Sequence, residues 1–176
     1  MKDILLVISK RINTINEAVG KLVSWIPTVL VLLVCFDVTV RYVFSDTAAW
    51  IMELEWHLFA LIFLLGAGYA LKHNRHVRVD LFYANFSEHD RALTNLVGTI
   101  LFLIPWCILI IIFSFNYGLE SWNINEGSPD PGGLPARYII KFSMTLGMVL
   151  LLLQAVSIFI DSLLTLRSIK RAKNGI

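Results

Sequence analysis

Residues 92–119, ALTNLVGTILFLIPWCILIIIFSFNYGL, run for 28 positions without an Asp, Glu, Lys or Arg. A helix crossing the roughly 30 Å hydrocarbon core of a bilayer needs about 20 mostly apolar residues. This stretch therefore marks a membrane protein by itself. Phe142–Ile160 is a second charge-free run, of 19 residues. Leu22–Phe36 and Trp56–Leu71 are shorter, 15 and 16 residues, and reach spanning length once flanks carrying Asp37, Arg41 and Glu53 are included. The whole chain agrees: 57% of its 176 residues are hydrophobic and 16% charged, against roughly 25% charged in soluble domains. The expected fold class is an all-α membrane protein with four transmembrane helices, near 22–44, 51–71, 91–118 and 138–164. They form one domain, 1–176, and leave no room for a soluble enzyme, a nucleic-acid binder or a separate extramembrane domain.

Four spans put both termini on one side of the membrane. Lys2, Lys10, Arg11 and Lys21, then Lys72, Arg75, Arg78 and Arg91, then Arg167, Lys170, Arg171 and Lys173 all fall on that side. The other side keeps only Arg41, Arg137 and Lys141, among the acids Asp46, Glu53, Glu55, Glu120, Glu126 and Asp130. The positive-inside rule makes the first side cytoplasmic. The apolar run near the N-terminus ends in Asp37, Arg41 and Tyr42 with no small-residue cleavage site, so no cleaved signal peptide is expected. Before it, Ile8, Ile12, Ile15, Val19 and Leu22 recur at helical steps, with Lys10, Arg11, Asn13, Asn16, Glu17 and Lys21 on much of the other face. That pattern describes an amphipathic helix over 1–21 lying in the interface.

Within span one, Asp37 and Arg41 stand four apart and can pair along one helix face. Two readings follow from a charged pair in a span: a proton relay, or contacts to a protein neighbour. A relay needs further acids at mid-depth, and spans three and four offer none before Asp161. Trp50 and Trp56 suit an interfacial aromatic belt. Glu53 and Glu55, two apart, point to different faces and do not jointly chelate an ion. His57, one turn in, suits a hydrogen-bonded structural role better than a pH sensor. Gly66, Ala67, Gly68 and Ala70 permit close helix approach.

The loop after span two carries His73, His76 and basic residues; phosphate or lipid-headgroup binding is one reading, and a plain charged anchor, which needs no ligand, is the favoured one. Val79, Phe82, Tyr83 and Phe86 have the spacing of a short surface helix. Ser87 and Asp90 form a capping pattern that starts span three. That span is too long for a perpendicular crossing, so it tilts, kinks at Pro105 or projects outward. The outer loop Glu120–Pro135 packs three prolines and three glycines into nine residues, a stiff, turn-rich segment. Arg137 and Lys141 then restart the chain as a helix, four apart on one face.

Catalytic patterns are missing from the sequence. His57 and the surface histidines lie at unmatched depths, which disfavours haem. Cys35 and Cys107 form no Cys-x-x-Cys pair. No phosphate loop, metalloprotease helix or clustered intramembrane carboxylates appear. No enzyme, cofactor or metal site is expected. The leading expectation is a packing scaffold; its rival is a self-sufficient small proton-coupled exporter using Asp37 or Glu53.

Arg41-Tyr42-Val43-Phe44, Trp50-Ile51-Met52-Glu53-Leu54, Leu65-Gly66-Ala67 and His76-Val77-Arg78-Val79-Asp80, in this order and spacing, resemble the small membrane subunit of TRAP (tripartite ATP-independent periplasmic) transporters. The resemblance implies a multi-pass protein of a bacterial inner membrane, working with a large polytopic subunit and a periplasmic substrate-binding protein. It implies that sodium sites belong to the large subunit, that the cargo is an organic acid anion, and that this chain braces an elevator-type partner within membrane lipids. On that view Asp37, Arg41, Trp50, Glu53, His76, Asp80, Arg137 and Lys141 serve structure or the partner interface. Glu126 and Asp130 are the expected contacts for the binding protein. The family often has two adjacent acids after the tryptophan; here Leu54 separates Glu53 from Glu55.

Overall fold

A computed structural model describes residues 2–73 and 85–173. Among these residues the chain is helical with no strands. The elements are α1 (Lys2–Val23), α2 (Ile26–Val43), α3 (Ala49–Lys72), α4 (Glu88–Gly98), a π-helical turn (Thr99–Leu103), α5 (Ile104–Asn123) and α6 (Tyr138–Lys173). Four helical stretches are long and apolar enough to cross a membrane: Lys2–Val43, Ala49–Lys72, Glu88–Asn123 and Tyr138–Ala172.

The breaks have local causes. Pro27 falls in the first turn of α2. Its missing N–H cannot bond the carbonyl four residues back, and the chain turns at Ser24–Trp25. Ser87 is extended, and its hydroxyl accepts the Asp90 N–H at 3.2 Å, which starts α4 as the capping pattern requires. Pro105 does not break the long third helix. Instead, one π turn precedes it, where the Ile104 N–H reaches back to the Thr99 carbonyl. Such bulges widen the helix locally and absorb a residue that the α-helical ladder cannot.

α6 is the centre of the bundle. It packs against α1, α3, α4 and α5, whereas α2 leans on α3 alone apart from its junction with α1. At 36 residues it is about 54 Å long, so it extends well beyond the 138–164 expected from hydropathy. Its last turns, from Arg167 on, are mostly exposed. One apolar cluster is Leu71, Cys107 and Leu151, with Ala67, Leu103, Met148, Leu152 and Ile158 around them, and Ile12, Val23, Ile51, Leu150, Ala155 and Ile160 are buried as well.

Backbone proximity holds the middle of the bundle. A Cβ built on Gly147 would stand 2.5 Å from the Leu64 carbonyl oxygen, so α3 and α6 nearly touch there. Gly68 sits under Asn16 and the Leu150 carbonyl, and Gly20 lies against the Tyr69 ring. The small-residue run of α3 thus divides: Gly68 makes a close approach, while Gly66 faces nothing within 4 Å.

Candidate functional site

Polar side chains gather at the two ends of the bundle. At the end where α3 begins, Glu53 is buried and its carboxylate gathers the outer loop. It accepts the Ser128 hydroxyl, the Leu134 N–H at 2.5 Å and the Arg137 guanidinium at 3.2 Å. The loop closes on itself as well: Ser128 N–H bonds the Leu134 carbonyl at 3.0 Å, and Arg137 N–H the Glu126 carbonyl at 2.9 Å. Asn125 and Ala136 take positive φ of 50° and 63° to make these turns. A carboxylate that receives three donors from one loop fixes that loop's position over α3.

Arg137 and Lys141 were expected as a pair on one face. They answer different acids: Arg137 goes to Glu53, and Lys141 to Glu126. The Lys141 ammonium also lies 3.8 Å from the Tyr117 ring centroid, a cation–π contact that ties α5 to α6. Lys141 holds the Glu126 carboxyl below the usual carboxylate range. Glu126 is therefore an internal strut, half-buried, and is not presented as a free acid. Asp130 is exposed, with its N–H on the Ser128 hydroxyl at 3.1 Å.

Asp37 is buried and pairs with Arg41 one turn on. His57 donates Nδ1–H to the Glu53 carbonyl and its ring stacks on Trp56 at 3.9 Å, a hydrogen-bonded structural histidine. Trp50 is largely exposed at the start of α3. One Glu55 carboxylate oxygen is enclosed without a hydrogen-bond partner. His76, Asp80 and most of the surface helix expected from Val79 to Phe86 lie outside the described residues; Phe86, which ends it, is described and is not helical.

The cluster at the opposite end was not anticipated. Ser9 and Ser157 share a hydrogen bond at 2.9 Å, and the Ser9 hydroxyl also reaches Asp161 at 2.9 Å. Asn16 donates to Gln154 at 3.1 Å, and Gln154 donates to Asn13 at 3.0 Å. Glu17 takes the Lys72 ammonium at 2.7 Å and His73 Nε2 at 3.0 Å. Asn13 and Glu17 are half-buried, and Asn16 is only 1% exposed. Part of the face expected to be polar, Asn13, Asn16 and Glu17, thus grips α3 and α6, while Lys10, Arg11 and Lys21 stay exposed. Of the apolar set Ile12 is buried, and Ile8, Ile15 and Leu22 are exposed. A signal for this exists in the sequence. Ser9, Asn13 and Asn16 on α1 and Gln154, Ser157 and Asp161 on α6 are polar stripes of matching pitch, which antiparallel helices can zip together.

Among the described residues no group of three or more His, Cys, Asp or Glu is placed to hold a metal ion. Broad apolar faces stay open: Val29, Leu32 and Phe36 on α2; Met52, Trp56, Phe59 and Phe63 on α3; Phe102 in the π turn with Trp106, Leu109 and Phe113 on α5. Fold and site together define a multi-pass helical membrane protein whose ionisable groups fasten it internally. Residues 30–165 match the family described as tripartite ATP-independent periplasmic transporters, DctQ component, and the chain belongs to that family. It is also 30% identical over 108 residues to the C4-dicarboxylate TRAP transporter small permease protein DctQ of Vibrio cholerae serotype O1. That match covers 61% of this chain and 46% of the relative, so it spans about half of the relative's length.

Proposed function

We propose that this chain is the small membrane subunit of a sodium-coupled, binding-protein-dependent secondary transporter that imports organic acid anions. Its membership of the DctQ family over 30–165 carries the reading. In this role it performs no chemistry and holds no sodium; it braces the scaffold against which a large elevator-type subunit moves. A brace must keep its shape under load, and the fastened ends and glycine contacts suit that demand. The open faces of α2, α3 and α5 supply apolar surface for a membrane partner and for lipids. The charge asymmetry favours a bacterial inner membrane with cytoplasmic termini. Asp130, exposed on the rigid outer loop, is the better contact for a periplasmic binding protein, since Glu126 is engaged with Lys141. A proton-carrying exporter would need Asp37 or Glu53 to exchange protons, against the arginine that each one holds.

The test is affinity purification of the tagged chain from its native membranes in mild detergent, followed by mass spectrometry. A large polytopic partner at one-to-one stoichiometry is expected. A chain that purifies alone and carries protons in liposomes overturns the proposal.

A further inference from the structure

Of the open apolar faces, those at Val29–Phe36 and Phe102–Phe113 contain no charged residue, and acyl chains cover such surfaces as well as protein does. The face of α3 differs. Met52, Phe59 and Phe63 are 49%, 66% and 72% exposed along it. Glu55 stands three after Met52 and four before Phe59, on the same side of the helix. It is half-buried, and one of its carboxylate oxygens is enclosed with no hydrogen-bond partner. α3 is 24 residues long, about 36 Å, and Glu55 lies about 9 Å along it. A charge held inside a span is costly unless it is paired. Gly66 continues the same side, with nothing within 4 Å of a Cβ built on it.

The chain has no base left to answer Glu55. Between Lys21 and Lys72, and between Arg91 and Arg167, the sequence holds only Arg41, Arg137 and Lys141. Each is engaged: Arg41 by Asp37, Arg137 by Glu53, and Lys141 by Glu126. Arg137 meets α3 at Glu53 and over the Trp56 ring, positions that a helix turns about 160° and 100° away from Glu55. We propose that the α3 face from Met52 to Gly66 seats a transmembrane helix of the large subunit, and that this helix carries a lysine or arginine opposite Glu55. The inference rests on the small-subunit reading and adds which face is joined and by what charge. Apolar contact alone gives an incoming helix no preferred rotation or register in lipid. A base set against one carboxylate fixes both. Met52 and Phe59 flank the pair and keep it dry, and Gly66 leaves room for close backbone approach.

The experiment uses the complex drawn from native membranes in mild detergent through the tagged chain. p-Benzoylphenylalanine placed at position 59 should, on illumination, join the chain to the large subunit. The joined peptide, read by mass spectrometry, should hold a lysine or arginine within about two helical turns of the linked residue. Glu55→Gln keeps the shape of the side chain and removes its charge. The large subunit should then leave the immobilised chain about tenfold faster or more, as when one member of a desolvated interfacial charge pair is lost. Capture of lipid alone at position 59, or of a peptide without a base, overturns the proposal. So does an unchanged dissociation rate in Glu55→Gln. If that variant does not fold, the cross-link decides alone. A wild-type chain that brings out no large subunit fails differently, because it removes the small-subunit reading itself and this inference with it.

Discussion

Replacing Gly147 with alanine adds one methyl group at the point where α3 and α6 come closest. The new Cβ would lie 2.5 Å from the Leu64 carbonyl oxygen and 2.9 Å from its carbon. Ordinary contact begins near 3.4 Å, so the helices must separate by about 0.9 Å. The obstacle is backbone, which cannot rotate away as a side chain can. Overpacking of this kind costs about 1–3 kcal/mol. Alanine recovers up to about 1 kcal/mol of helix propensity over glycine, leaving a net loss of up to roughly 2 kcal/mol. Gly66 on α3 is the matched control. Nothing lies within 4 Å of its missing Cβ, so Gly66→Ala keeps the propensity gain and pays no steric penalty. The propensity gain is common to both, so the two variants should differ by the overpacking cost, about 1–3 kcal/mol, and at about 2–4 °C per kcal/mol for a chain of this size by roughly 2–12 °C. Thermal unfolding of the detergent-solubilised protein, followed by fluorescence and by soluble fraction, reads the difference. If Gly147→Ala is as stable as Gly66→Ala, α3 and α6 do not touch through backbone at this point.

Glu53→Ala releases the Ser128 hydroxyl, the Leu134 N–H and Arg137 together, so protease cleavage within 124–136 should accelerate while the spans stay intact. Unchanged cleavage would mean that the loop is held elsewhere. The Glu126–Lys141 pair gives that loop a pH dependence. Lys141 lowers the folded pKa of Glu126 below 4.5, so the contribution is complete above about pH 4.5 and is lost as pH falls through the lower folded value. Hydrogen exchange at 124–137 should therefore quicken in acid. Lys141→Met should show the quickened rate already at neutral pH, and equal rates in the two proteins would dismiss the pair as a strut. Gln154→Leu leaves Asn13 and the buried Asn16 without their shared partner, at a cost of about 1–3 kcal/mol. Loss of protection should appear in α1 first, and uniform loss across the bundle would argue against a discrete α1 clasp.

The spans were legible because hydrocarbon imposes one plain demand, a run of apolar residues about 20 long. Asp37–Arg41 was legible because helical spacing alone brings such a pair together. The partner of Glu53 was not, since Arg137 comes from the far side of two spans and a loop, and residue spacing carries no such information. α1 shows a deeper reason. The usual inference sends the polar side of an amphipathic helix to water, yet Asn16 is enclosed and Ile15 is exposed. That inference assumes water is the solvent being escaped. Lipid tails are as apolar as leucine and give apolar faces no reason to seek each other, so association falls to close packing and to hydrogen bonds between helices. The bundle follows this logic along its length. Polar groups join α1 to α3 and α6 at one end, and Glu53 and Lys141 join the outer loop to the spans at the other. Between them an apolar cluster around Leu71, Cys107 and Leu151 packs the interior, and glycines let the backbones meet. For a membrane protein whose open faces are apolar, buried polar residues are thus the better guide to which helix surfaces are internal.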